Sequence, residues 1–254
     1  MTSTPPRAPL DLRSLQDAAG PQWQVRLHAE AGSTNALAAA DPVRHRVVVA
    51  DHQQAGRGRL DREWVTPPGA ALTFSAVFDP VVDTEWWPVV PLVAGYAVAR
   101  ALGGFAGLKW PNDVLIGDRK VAGILVERVN TRPPMVVIGI GINVDQTQDE
   151  LPVPTATSLA LAGHPTDRTT LFGHVLRHLR ASLGSFAGSP NTFMDQYRGR
   201  SATLDQAVRV DLPGERSVTG RVLDFDDHGR LVLDTPDGTL TLSAGDVVHL
   251  RPGE

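Results

Sequence analysis

The order of apolar and polar residues gives the chain one texture up to about residue 200 and another beyond it. The first part mixes continuous apolar runs with helical stretches, whereas the second alternates apolar with polar residues at period two. Short β-branched runs mark buried strands, period two marks half-buried strands, and longer apolar stretches bounded by glycine or proline mark helices. On these rules WQVRLHAE (23–30), RVVVAD (46–51) and ALTFSAVF (71–78) predict strands. AGSTNALAAAD (31–41) predicts a turn into a helix capped by Ser33 or Thr34. PLVAGYAVARALGG (91–104) predicts a buried helix stopped by two glycines. LKWPNDVLIG, KVAGILVERV and MVVIGIGINV predict three successive strands, turning at Gly117-Asp118 and at 130–134. Residues 168–186 and 191–200 predict helices. The first twenty residues, broken by Pro5, Pro6 and Pro9, predict a flexible or weakly helical lead-in with no helix-turn-helix.

After Arg200, AVRVDLP, SVTGRVLDFDDHGRLVLDT and GTLTLSAGDVVHL are punctuated by Pro213-Gly214, His228-Gly229 and Asp237-Gly238. This predicts a small antiparallel barrel of four or five strands. The expected organisation is a domain over 1–202, flexible over 1–20, and a second domain over 203–254.

Composition narrows the classes. A length of 254 residues, 42% hydrophobic and 20% charged, is that of a soluble globular protein. The absence of cysteine excludes disulfides, Cys–zinc sites and a thiol nucleophile. No apolar run has the roughly eighteen residues of a membrane span, and the start lacks the apolar segment of a signal peptide, so a cytoplasmic protein is expected. A net charge of −4 shows no global basic character suited to nucleic acid.

The positive charge that matters is local. Lys109 and Lys120 are the chain's only lysines, and both lie in LKWPNDVLIGDRKVAGILVE (108–127). An ammonium is a compact point charge on a flexible stem, and a guanidinium does not replace it where a cation must follow a moving oxyanion. Upstream, in DHQQAGRGRLDREW (51–64), Arg57, Arg59 and Arg62 alternate with Gly56 and Gly58. Glycines let backbone amides approach an anion, and arginines add bidentate bonds to phosphate oxygens. Trp64 suits either a core anchor or a platform for an adenine. KWPND sets a cation, an aromatic ring, a proline and two short polar side chains in what should be a buried strand, unless it forms a tight turn. Asn112 both donates and accepts, as a base edge or a ureido group requires; Asp113 suits a metal or the orientation of Lys109.

Other patterns carry less. GIGINV lacks the third glycine and the following helix of a dinucleotide fingerprint, and reads better as close backbone packing beside a ligand. His174 and His178 stand four apart, as in a two-His metal site, but without the glutamate of that motif they read as one side of a surface helix. Trp86 and Trp87 read as packing or interface residues.

Taken together, GSTN (32–35), QQAGRGRLDREW (53–64), KWPNDVLIGDRKVAGILVE (109–127), GIGINV (139–144) and SAGDVVHLR (243–251) resemble, in order and spacing, the biotin–protein ligases. The resemblance covers nearly the whole chain from residue 25. It implies an α+β fold with a central mixed sheet flanked by helices, akin to class II aminoacyl-tRNA synthetases, and a C-terminal SH3-like barrel. The implied reaction joins biotin to MgATP, giving biotinyl-5′-AMP, and then moves the acyl group to a lysine of the biotin carboxyl carrier domain of an acyl-CoA carboxylase. ATP and Mg²⁺ are implied as co-substrates, with no tightly bound cofactor.

Carried over by motif, Ser33, Thr34, Asn35, Gln53, Gly56, Arg57, Gly58, Arg59, Lys120 and Gly123 would bind biotin. Arg59, Arg62, Trp64, Lys109, Asn112, Lys120 and Asn143 would bind ATP, and Lys120, Arg59 and Lys109 would be catalytic, with Asp113 a metal candidate. Asp61 departs from the family's GRGRxGR, where a glycine is usual. The roughly thirty residues before GSTN fall short of a DNA-binding domain, so no DNA or membrane partner is expected, and the protein is expected to be a monomer or homodimer. A lipoate or octanoate ligase shares the lysine region but not the GRGR loop; a non-catalytic adaptor with a vestigial pocket is the alternative from another class.

Overall fold

In the computed structural model, which describes residues 7–59, 62–79, 82–214 and 216–250, the chain builds a seven-stranded sheet and a five-stranded one. In chain order the elements are α1 (Leu12–Ala19), β1 (Gln24–Ala31), α2 (Thr34–Ala40), β2 (Arg46–Gln53), β3 (Gly56–Arg57), β4 (Glu63–Trp64), β5 (Ala71–Phe78), α3 (Val90–Leu102), β6 (Ala106–Lys109), β7 (Asp113–Ile116), β8 (Arg119–Val129) and β9 (Met135–Asn143). They continue with α4 (Arg168–Gly188), α5 (Pro190–Arg198), β10 (Ala207–Leu212), β11 (Arg216–Phe225), β12 (Leu231–Thr235), β13 (Gly238–Leu242) and β14 (Asp246–His249).

The large sheet runs β1-β2-β5-β9-β8-β7-β6, parallel between β1 and β2 and antiparallel elsewhere. Its side chains sort by period two. Phe74 and Ala76 of β5 and Ile138, Ile140 and Ile142 of β9 join the core with α3 and α4. α3 is apolar on nearly every side, as a helix enclosed between a sheet and another helix must be. The alternate positions, Ser75, Gly139, Gly141 and Asn143, face the other way. There only a small apolar cluster (Ala38, Val48, Val77, Val137) carries α2, and the rest of that face is left for the site.

One expectation is narrowed to its helical alternative and two are corrected. The lead-in contains an ordered helix: the Asp11 side chain accepts the Ser14 amide at 2.8 Å, capping α1, and Leu15 and Ala19 are buried. The prolines stop short of that cap, and the stretch from residue 7 is tied down. Arg7 meets Asp145 and Glu150, and Arg168 reaches both Asp51 and the Ala8 carbonyl. Pro5, Pro6 and the rest of 1–6 lie outside the described residues. Second, LKWPNDVLIG is two strands, because Trp110 to Asn112, with a cis Trp110-Pro111 bond, turns β6 back against β7. Third, the C-terminal strands form an open sheet, β13-β12-β11-β10-β14, and no described pairing joins its edges into a barrel.

That smaller sheet shares the core of the larger. Phe225 meets Tyr197 of α5 at 5.2 Å, and the Trp110 indole donates to the Gly229 carbonyl at 2.9 Å. Burial raises the Tyr197 phenol well above its usual range. Trp86 packs at a tilt against His228 and Trp87 faces Arg128, so both tryptophans are packing residues. His178 is held below its ordinary pKa by burial, with Arg100, Arg177 and His174 adding to the effect. Among the described residues no helix is long and apolar enough to cross a membrane.

Candidate active site

Ser33 ends β1's turn by accepting the Ala36 amide at 3.3 Å, and this cap sets Thr34 and Asn35 at the start of α2, facing the sheet. Both are buried, at 3% and 4% exposure, as is Gln53 at 4%. Burial of this kind demands partners. Gln53 Oε1 accepts the Thr34 amide (2.9 Å) and hydroxyl (3.2 Å), while its Nε2 donates to the Trp64 carbonyl (3.3 Å). Ser75 Oγ lies 2.7 Å from Thr34 Oγ1 and 2.5 Å from Asn35 Oδ1. Asn35 Nδ2 donates to Glu127 Oε2 (2.7 Å) and the Leu125 carbonyl (3.3 Å). The result is a neutral, largely satisfied lattice at one end of the open sheet face.

The glycines of β9 explain how polar side chains lie so flat on a sheet. A Cβ on Gly139 would overlap Asn35, and one on Gly141 would overlap the Trp64 ring. Gly123, paired with Gly141 across β8 and β9, has Trp64 and Lys120 against it. The expected close packing at GIGINV is therefore real, and the packed groups are the protein's own Asn35 and Trp64. These two cradles lie one side-chain period apart, about 7 Å along the strand. Trp64 Nε1 and Thr73 Oγ1 are buried there without a hydrogen-bond partner among the described residues.

The Gly/Arg segment is ordered on both sides of Leu60 and Asp61, which lie outside the described residues, as does the charge expected at Asp61. Its flanks form a hairpin, β3 with β4, in which Gly56 pairs with Trp64 and Arg57 with Glu63. Arg57 forms an ion pair with Glu127 at 3.1 Å, and Arg62 one with Asp246 of β14.

Cations gather at the other end. Lys120 Nζ lies 2.6 Å from Asp113 Oδ1 and 5.5 Å from the centre of the Trp64 ring. Its backbone is clamped by a segment returning after β9: Lys120 N donates to the Thr155 carbonyl and Thr157 N to the Lys120 carbonyl, each at 2.8 Å. Burial lowers the pKa of both Lys109 and Arg59; Asp113 and Asp246 partly offset this. Among the described residues neither side chain makes a hydrogen bond or ion pair. Half-buried, unpaired cations are costly unless an anion meets them.

Asp113 pairs with Lys120 rather than orienting Lys109, and Asn112 donates to the Ile124 carbonyl (2.8 Å), holding its turn onto β8. Asn143 Nδ2 donates to the Thr157 carbonyl and Oδ1 accepts from Gln146, each at 3.0 Å. The sequence reading missed Ser75, Glu127, Asp246 and the 145–159 segment. Ser75 and Glu127 sat at regular alternate positions of β5 and β8, the one signal available for them.

The chain can now be set beside known proteins. A family model described as "Biotin/lipoate A/B protein ligase family" matches residues 33–143, and one described as "Biotin protein ligase C terminal domain" matches residues 203–250. The biotin–[acetyl-CoA-carboxylase] ligase of Mycobacterium tuberculosis is 41% identical over 96% of this chain and 97% of its own length. The bifunctional ligase/repressor BirA of Escherichia coli is 33% identical over 81% of this chain, which spans 66% of that longer protein. The structure of biotin protein ligase from Aquifex aeolicus in complex with biotin and ATP superposes with a TM-score of 0.76 at 28% identity, covering 89% of this chain and 98% of that one.

Proposed function

Since this chain belongs to the biotin/lipoate A/B protein ligase family and to the biotin–[acetyl-CoA-carboxylase] ligases within it, we propose that the two ends of the open sheet face divide the substrates of one ATP-dependent biotinylation between them. The enzyme activates biotin with ATP and transfers the biotinyl group to a biotin-dependent carboxylase. The neutral lattice of Thr34, Asn35, Gln53 and Ser75 takes the ureido head. Gly56 to Arg59 cover it, and the biotin chain runs past Trp64 and Gly123 toward Lys120. Arg59, Arg62 and Lys109 take the phosphates of ATP, and Asn112 and Asn143 border the nucleoside. The carrying observation is the position of Lys120, next to the Trp64 cradle and beside Lys109 and Arg59, two cations without an ion-pair partner among the described residues.

In the first step a biotin carboxylate oxygen attacks the α-phosphorus; the bond from that phosphorus to the bridging oxygen breaks, and pyrophosphate leaves. Negative charge grows on the α-phosphoryl oxygens, and a fixed ammonium stabilises it in the transition state more than in the ground state. Asp113 holds Lys120 ready for this role. In the second step a lysine amine of the carrier domain attacks the acyl carbon, losing a proton as AMP departs with the bonding electrons. Mg²⁺ enters with ATP: the Asp113 carboxylate is already bound by Lys120 and surrounded by cations, a poor seat for a resident dication. We place the activity in the cytoplasm, where carboxylases and ATP meet.

Pyrophosphate release measured with biotin, lipoate or neither tests this reading. Release should require biotin, and label should then appear on a carrier-domain lysine; release with lipoate alone would assign the chain to the other branch, and none with either would leave a binding module.

A further inference from the structure

The carboxylate of Glu127 stands where the two halves of the neutral end meet. Its Oε2 accepts from Asn35 Nδ2 at 2.7 Å, and its Oε1 lies 3.1 Å from Nη2 of Arg57. One side chain on β8 thus touches both the floor of the pocket, through α2, and its cover, through the β3–β4 hairpin. We propose that Glu127 is a positioning residue that fixes the polarity of Asn35 and latches the hairpin over the biotin head group.

The polarity argument follows from donor counting. An asparagine amide has two N–H donors, and those of Asn35 are taken by Glu127 and the Leu125 carbonyl. Its oxygen is therefore turned toward Ser75 and over the β9 backbone at Gly139, with one lone pair beyond the Ser75 bond for an N–H that reaches it. A ureido ring offers N–H donors, so this orientation selects it. A carboxylate at 127 cannot donate, which makes the reverse orientation unfavourable. Gly139 has no Cβ, and the Asn35 amide fills that space, so it rests directly on the β9 backbone.

The latch follows from the hairpin's other attachments. Arg62 ties its far arm to Asp246, and Gln53 ties its base to the Trp64 carbonyl. On the biotin side Gln54 N and Ala55 N donate to the Ala31 and Gly32 carbonyls ahead of β3, and Arg57 to Glu127 is the side-chain attachment within it. An acyl-adenylate hydrolyses or escapes when its cover opens, so this contact sets how much of it leaks.

The proposal rests on the biotin reading above and is tested separately from it. Glu127→Gln keeps the shape but offers an amide that can donate to Asn35 Oδ1, favouring the flipped asparagine, and it discharges the pair with Arg57. Biotin KM should rise about tenfold or more while ATP KM stays within about twofold, and label on bystander lysine-rich protein should increase. Arg57→Ala removes only the latch, so it should increase bystander label with a smaller change in biotin KM. Melting temperatures measured alongside separate loss of fold from loss of positioning, and Arg57, exposed on a hairpin, is removed with little risk to the core. If native enzyme releases pyrophosphate with biotin but Glu127→Gln, folded, keeps native biotin KM and native bystander labelling, Glu127 has no positioning role. If both variants raise leakage and biotin KM equally, the claim about Asn35 polarity falls.

Discussion

The neutral and cationic ends of the sheet face solve opposite problems. At the neutral end Thr34, Asn35, Gln53 and Ser75 are deeply buried and bonded to one another, so their donors and acceptors are fixed by the protein's own bonds. At the cationic end Lys109 and Arg59 are half-buried and bonded to nothing among the described residues, and burial lowers the pKa of both. Specificity for an uncharged head group calls for fixed donors and acceptors. Stabilising a triphosphate calls for charge that only the substrate completes.

The largest effect should come from Lys120, where the two ends meet. Lys120→Ala should slow adenylate formation by about a hundredfold or more, ~3 kcal/mol of transition-state stabilisation, with a smaller change in ATP binding. Lys120→Arg should rescue little, because a planar fork held bidentately by Asp113 is a poor substitute for a point charge at the α-phosphate. Single-turnover pyrophosphate release checks both; near-native turnover in the arginine variant would remove the distinction between the junction and the arginines around it.

Smaller effects should separate the ends. Gly139→Ala drives a methyl into Asn35, and Gly141→Ala into Trp64. The first should raise biotin KM by roughly thirtyfold, about 2 kcal/mol for a displaced buried polar group, with ATP KM nearly unchanged. The second should raise both, because Trp64 also faces Lys120. Equal responses to the two substitutions would mean that the face works as one unit.

These glycines also show what the sequence could reveal. Strands, helices and their order were legible wherever period and breakers agreed: ALTFSAVF became β5 residue for residue, and the texture change after Arg200 coincides with the second sheet. Within MVVIGIGINV, isoleucine alternates with glycine, so the face that packs and the face that binds were both written there, although the run first reads as uniformly apolar. The KWPND turn was obscured because strand propensity on both sides outweighed a single proline. α1 was hidden by its proline-rich approach, and the open edge of the C-terminal sheet could not be read from alternation, which is the same in sheets and barrels. Site residues carrying a motif were found. Glu127, Ser75 and Asp246 were not, because each matters through a partner 40 or more positions away, a distance no local pattern encodes.

The smallest effect separates the ends by charge alone. Lys109→Met keeps length and removes the cation, so ATP KM should rise about fivefold, the ~1 kcal/mol of a point charge at contact distance in a screened site, while biotin KM should not move. The same substitution should raise the melting temperature of the ligand-free protein by about 2 °C, since an unpaired, partly desolvated ammonium costs stability. The pH dependence gives these changes a sign. Burial makes the folded-state pKa of Lys109 lower than the unfolded one, so the folded protein binds its proton less readily. The stability cost is therefore complete below the folded value and fades as pH rises from there toward the ordinary lysine range. ATP affinity should fall over the same interval, because the charge that phosphate needs is leaving. Stability of the free enzyme and affinity for ATP should thus move in opposite directions with alkaline pH in the native protein, and Lys109→Met should lose that part of both trends. Parallel trends, or trends that survive the substitution, would show that Lys109 is not a phosphate-meeting charge of this end.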